Sequence, residues 1–256
     1  DFQEGLLLAV DDPAKAIESL WAAMADPGLA GRANALRIRL QAAEPHAEIY
    51  RLVVTGRALG GLGEWDLASL AFHRAVMLDG EYAEAWALLG EARQQLGDNG
   101  WPELEKARTL DKDSVVVRAL LALYWRRQGN TALAMEALSS VAEDEPQQAF
   151  WQLELGNTAA QMNKPVAAIG FYKKAVQIEP TSPVYWRALA VFSTSMGLQI
   201  RETGLPAARQ LVILAPRSAD SYDVLGWSLY WLEDWYGAER ALLHALEIDP
   251  CHPQAN

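Results

Sequence analysis

A short pattern returns along this chain at nearly constant intervals, and a fixed period limits the architecture more than any single residue does. Beginning with Val54-Thr55-Gly56, an apolar-then-small pair recurs at Leu89-Gly90, Leu121-Ala122, Leu155-Gly156, Leu189-Ala190 and Leu225-Gly226. The small residues 56, 90, 122, 156, 190 and 226 stand 34, 32, 34, 34 and 36 positions apart. A second pattern follows each first one: a small residue, a bulky one four later, and a small or apolar one three after that. Ala68-Phe72-Ala75, Ala168-Tyr172-Ala175 and Ala238-Leu242-Ala245 show it fully, and Ala134-Leu138-Val141 nearly so. Gly100-Leu104-Ala107 and Gly204-Ala208-Leu211 are weaker versions. Spacings of four and three place the three side chains on one helical face, so each period is expected to hold two amphipathic helices of about four turns. Turn signals separate them at Gly61-Leu62-Gly63, Leu96-Gly97, Gln128-Gly129 and Met196-Gly197. The second helix is expected to stop at Pro146, Pro180, Pro216 and Pro250, because proline cannot continue a helix.

Trp86, Leu89-Gly90, Gly97 and Ala107, and again Trp186-Leu189, Gly197 and Pro216, resemble the tetratricopeptide repeat (TPR), whose unit has this length and this order of signals. The resemblance implies an all-α fold, a right-handed α-solenoid of antiparallel helix hairpins stacked into a superhelix. One hairpin cannot cover its own apolar face, so stability comes from stacking neighbours. Six units are expected, at 49–82, 83–114, 115–148, 149–182, 183–218 and 219–252. The place usually held by tryptophan carries Arg118 and Gln152 in two of them, which implies looser packing or a bend there. Residues 1–48 show two helical patterns, about Pro13 to Met24 and Leu29 to Ala43, and are expected to form a degenerate hairpin or cap. Residues 253–256 begin where a further first helix should start, so the array is expected to continue in a longer parent protein. The opening at Asp1, without methionine, points the same way.

Composition removes several function classes. With 51 % hydrophobic residues the chain has enough apolar content for a continuous core, and its formal net charge of −11 argues against a nucleic-acid partner. No apolar stretch approaches the roughly 20 residues that span a bilayer, so direct membrane insertion is not expected. One cysteine, Cys251, excludes an internal disulfide and leaves the compartment open; a cytoplasmic chain and the soluble arm of a membrane protein both remain open. His46, His73, His244 and His252 lack any spacing that would set two ligands on one helix face, so neither a metal nor a cofactor is expected. The acidic clusters Asp11-Asp12, Asp111-Lys112-Asp113, Glu143-Asp144-Glu145 and Glu233-Asp234 fall at turns and helix starts, where capping is their expected role. No phosphate-cradling glycine loop or nucleophile elbow is present, and no enzymatic activity is expected.

The resemblance further implies that the first helix of each hairpin lines a concave groove that binds extended or helical peptides. If Leu52, Thr55, Gly56 and Leu59 pack between helices, the face left over carries Tyr50, Val53, Arg57 and Gly60. The same offsets give Glu84, Ala87 and Glu91; Val116, Ala119 and Leu123; Phe150, Leu153 and Asn157; Val184, Arg187 and Val191; and Asp220, Asp223 and Trp227. The middle of that lining, Val116, Leu123, Phe150, Leu153, Val184 and Val191, is apolar and costly to leave hydrated, or else it is core. Acidic residues flank it. The expected partner is therefore a protein or peptide with an apolar segment and basic flanks, its backbone meeting Asn157 and a carboxylate or carbonyl meeting Arg187; self-association stays open. A carboxylate-clamp role is disfavoured, since only Asn157 stands where such a residue belongs. Trp227, Tyr230, Trp231, Trp235 and Tyr236 crowd the last unit and are expected mostly to pack against a following hairpin, with a ligand platform as the alternative. Two functions follow: an interaction scaffold, or an accessory region that presents substrate to a catalytic or membrane domain outside this chain.

Overall fold

The computed structural model describes residues 1–252, all of whose regular structure is helical. Residues 253–256, where a further unit was expected to begin, lie outside the described residues. The chain divides into two compact units, Asp1–Tyr124 and a second starting at Trp125. The first holds α1 (Phe2–Leu8), α2 (Pro13–Ala23), α3 (Ala30–Ala43), α4 (Glu48–Gly61), α5 (Trp65–Leu78), α6 (Ala83–Gln95), α7 (Trp101–Leu110) and most of α8 (Val115–Arg127). The second holds α9 (Thr131–Asp144), α10 (Ala149–Gln161), α11 (Pro165–Ile178), α12 (Pro183–Ser195), α13 (Leu205–Leu214), α14 (Ala219–Trp231) and α15 (Trp235–Ile248).

Local chemistry sets the helix ends. Asp12 and Asp234 accept backbone hydrogen bonds from Lys15 and Gly237 at 3.2 and 2.9 Å, satisfying free N–H groups at the starts of α2 and α15. Asp111 takes the N–H groups of Asp113 and Ser114, both at 3.0 Å, which tightens the turn before α8. The Glu145 side chain, by contrast, caps no helix start: the residue ends α9, and its carboxylate accepts the Trp151 indole N–H at 2.6 Å. That bond explains the missing tryptophan at Gln152. In the regular units Trp86 and Trp186 donate to the carbonyls of Gly80 and Pro180, six residues back, and Trp151 does the same work from one position earlier. Helices α9, α11, α13 and α15 each end two residues before their proline, as the clash of its ring with the preceding turn requires.

Within the hairpins α4–α5, α10–α11 and α14–α15, a glycine lets a bulky side chain reach the partner backbone. A Cβ at Gly56 would lie 2.5 Å from the Phe72 ring, one at Gly156 2.5 Å from the Tyr172 ring, and one at Gly226 2.7 Å from Leu242. The deviations from a 34-residue period have structural counterparts. The short unit's second helix, α7, has only ten residues and begins after Gly100, which is left-handed at φ +64° rather than helical. The long unit inserts a π-type turn, Ile200–Gly204, before α13. Gly100 and Gly204 thus stand ahead of the second helix and not within it.

The first 48 residues hold three helices, one more than the periodicity suggested. Helix α1 pairs with α2, and Gly5 approaches Leu20 as Gly56 approaches Phe72, its Cβ position lying 2.7 Å from the leucine. Helix α3 then packs on α2 before it and α4 after it. The first unit's core runs through Phe2, Leu6, Leu20, Leu36, Leu59, Phe72 and Leu89; the second unit's gathers Ile169, Tyr172, Leu189 and Val224.

Candidate functional site

The residues expected to line a groove divide by position along each first helix. Those in the opening turn are exposed or half-buried: Tyr50, Phe150 and Val184 keep 46, 40 and 58 % of their surface, while Glu84, Val116 and Asp220 are intermediate. One turn further, Val53, Ala87, Ala119 and Asp223 are buried, Leu153 is partly so, and Arg187 is exposed. Val53 belongs to the first core, where α6 packs on α4. At the third position Arg57 and Trp227 are exposed, Leu123, Asn157 and Val191 half-buried, and Glu91 buried.

In the first unit, Arg57 Nη2 lies 3.7 Å from Glu84 Oε2, joining the lining of α4 to that of α6. In the second unit the same device joins α12 to α14: Arg187 Nε donates to Asp220 Oδ2 at 3.0 Å. Deeper between those helices the hydroxyls of Thr194 and Ser228 share a buried hydrogen bond of 3.0 Å. Leu153 and Val191 pack along the edge of the second core, and Phe150 meets Trp151 edge-on with centroids 4.9 Å apart. On α10 and α12, then, Phe150 and Val184 are exposed and Leu153 and Val191 half-buried.

Asn157 and Arg187, the polar groups expected to meet a ligand, already have partners. Asn157 accepts the Tyr172 hydroxyl on Oδ1 at 2.9 Å and donates to Glu154 Oε1 at 3.3 Å. Glu154 is also paired with the Arg126 guanidinium. Burial pushes the Glu154 carboxyl above its ordinary range against the pull of Arg126, and pushes the Tyr172 hydroxyl up to about 12.

A second cluster closes the end of α14. Asp220 Oδ1 lies 2.9 Å from His252 Nε2, and that bond, with the Arg187 charge, holds the Asp220 carboxyl below its ordinary value. One turn on, Asp223 is 2 % exposed. It accepts a hydrogen bond from the Trp227 indole, and burial pushes its carboxyl up. Its Oδ1 has no hydrogen-bond partner among the described residues. The rings of Trp227 and Tyr230, and of Tyr230 and Trp235, meet edge to face at 5.4 and 4.9 Å, and all three, with Trp231 and Tyr236, are exposed. A separate cavity of about 580 Å³ is lined by Tyr222, Leu225, Leu229, Ala241 and His244. Among the described residues no group of three or more His, Cys, Asp or Glu is arranged to hold a metal, and no helix is long and apolar enough to cross a membrane.

No family model matches the chain. A curated protein, the small glutamine-rich tetratricopeptide repeat-containing protein 2 of Mycosarcoma maydis, is 30 % identical over 95 residues, 37 % of this chain. The match spans 26 % of that protein's own length. Among solved structures, the type IV pilus biogenesis factor PilW superposes with a TM-score of 0.70 at 15 % identity, covering 82 % of this chain and 97 % of PilW. YrrB, a TPR protein with an unusual peptide-binding site, gives 0.58 at 16 % identity over 72 % of this chain and 95 % of its own. These likenesses show the fold, an α-solenoid of TPR-type helix hairpins.

Proposed function

We propose that this chain is a protein-interaction scaffold that holds an apolar segment of a partner protein, with basic residues at its flanks, against the first helices of its hairpins. The observation that carries this reading is the solvent-facing apolar strip of α10 and α12. Phe150 and Val184 remain 40 and 58 % exposed on helices whose other apolar residues are packed. Half-buried Leu153 and Val191 extend it, and the same helical offsets assign Asn157, Arg187 and Trp227 to this face in the second unit. Tyr50, Arg57, Val116 and Leu123 form the corresponding lining of the first unit. The formal charge of −11 favours a basic partner, since complementary fields speed encounter and suppress wrong partners.

Selection from a phage-displayed random peptide library tests the reading. Binders to the wild type are expected to share an apolar core with Lys or Arg beside it, and to lose affinity at least tenfold for Val184→Asp, an exposed position where folding is spared. Selected peptides that bind Val184→Asp and Phe150→Ala as tightly as the wild type would remove the groove from consideration.

A further inference from the structure

Three aromatic side chains of the α14–α15 hairpin form a continuous row that faces water. The Trp227 and Tyr230 rings meet at 66° and those of Tyr230 and Trp235 at 78°, so neighbouring rings make two L-shaped corners rather than one flat sheet. Tyr230 and Trp235 keep 47 and 57 % of their surface, and neither the hydroxyl nor the Trp235 indole N–H makes a hydrogen bond among the described residues. The row therefore sets apolar corners beside two idle donors. Glu233, in the turn between Tyr230 and Trp235, and Glu239, one helical turn beyond Trp235, are exposed and belong to no ion pair among the described residues.

We infer that this row is a docking site for a proline-rich segment in the polyproline II conformation, with an arginine or lysine beside its prolines. That conformation has no internal hydrogen bonds, so its carbonyls are open to donors, and its pyrrolidine rings stand out at about three residues per turn. Corners between aromatic rings seat the pyrrolidines, and a hydroxyl or indole N–H among them meets the carbonyls. An amphipathic helix satisfies its own carbonyls and would leave both donors unused. A sugar needs polar side chains around the ring that it stacks on, but here the Trp227 indole is spent on Asp223 and the Asp234 carboxylate on the start of α15. The unpaired Glu233 and Glu239 add the charge that favours a cationic flank and repels acidic competitors. The row lies on α14 and α15, so this site goes beyond the strip of α10 and α12 and does not depend on it.

The probe is a fluorescein-labelled peptide amide, Gly-Pro-Pro-Leu-Pro-Pro-Arg, set against a version with alanine for every proline and another with norleucine for the arginine, all read by fluorescence anisotropy. Wild type is expected to bind the proline peptide at least tenfold more tightly than the alanine peptide, and about threefold more tightly than the norleucine peptide. Trp235→Ala, at an exposed position, is expected to weaken the proline peptide at least tenfold with an unchanged circular dichroism spectrum. Tyr230→Phe keeps the ring and removes only the donor; a loss of about threefold is expected. Joint Glu233→Gln and Glu239→Gln substitution is expected to remove the preference for arginine over norleucine. Equal binding of the proline and alanine peptides to wild type overturns the inference, as does full binding in Trp235→Ala. A tryptophan emission change with cellohexaose but none with the proline peptide makes the row a sugar platform and overturns it. Failure of the proline peptide to bind overturns it as well.

Discussion

Replacing Gly156 and Gly170 separately by alanine sets two identical substitutions in one hairpin against each other. Each adds one methyl group to a helix interior, where alanine is favoured over glycine by about 1 kcal/mol. Gly170, on the exposed side of α11, has nothing within 4 Å of its Cβ position, so Gly170→Ala is expected to stabilise by about 0.5–1 kcal/mol. At Gly156 the same carbon would lie 2.5 and 2.7 Å from two atoms of the Tyr172 ring. That ring cannot swing aside freely, since its hydroxyl is tied to Asn157 at 2.9 Å and the side chain is buried. Overpacking of this kind costs about 1–3 kcal/mol and cancels or outweighs the helix-propensity gain, leaving a net loss of about 0–2 kcal/mol where Gly170→Ala gains. Urea unfolding followed by circular dichroism measures both; in a chain of this size each kcal/mol moves the thermal midpoint by roughly 2–4 °C. Gly156→Ala combined with Tyr172→Leu should recover part of the loss. Equal stabilisation by both single alanines would refute the close approach of α10 and α11.

Two further outcomes follow from local geometry. Asp223 has a folded-state pKa above the ordinary 3.8, so its contribution to stability is complete below that value and is lost as the pH rises through the raised one. Asp223→Asn is therefore expected to be more stable than wild type by about 1 kcal/mol at pH 7, with the gap closing as the pH approaches 4, measured by thermal melts across that range. Glu233 holds a left-handed turn at φ +63° where the corresponding turns use Gly63, Gly129 and Gly197. Glu233→Gly is expected to stabilise by about 0.5–1 kcal/mol in the same melts, and a destabilisation would show that its backbone conformation is not strained.

The hairpins were legible because their signals are local and repeated. Ala68-Phe72-Ala75 and its copies mark a helix face whatever lies opposite, and Asp12 and Asp234 cap where their spacing says they should. Helix α1 escaped notice since seven residues centred on a glycine carry almost no periodicity. The signal that could have found it lay in its partner, where Ala16-Leu20-Ala23 repeats the small-bulky-small motif and all three are buried. Trp151 was overlooked because it sits one position from the expected place, a shift that matters little to an indole reaching back to a side-chain carboxylate.

Sequence alone determined the period and the helical class, because these depend on residues within about one turn of each other, and it named a candidate face on each first helix without fixing its exposure. Tertiary structure decided how that face is used. It covered Val53, left Val184 bare, and tied Asn157 to Tyr172 fifteen residues away. It also set Arg187 and His252, 33 and 32 residues distant, on Asp220 while leaving Asp223 with one oxygen unmatched. Burial and charge compensation are set by which neighbour stacks where, and no spacing within a single helix records that.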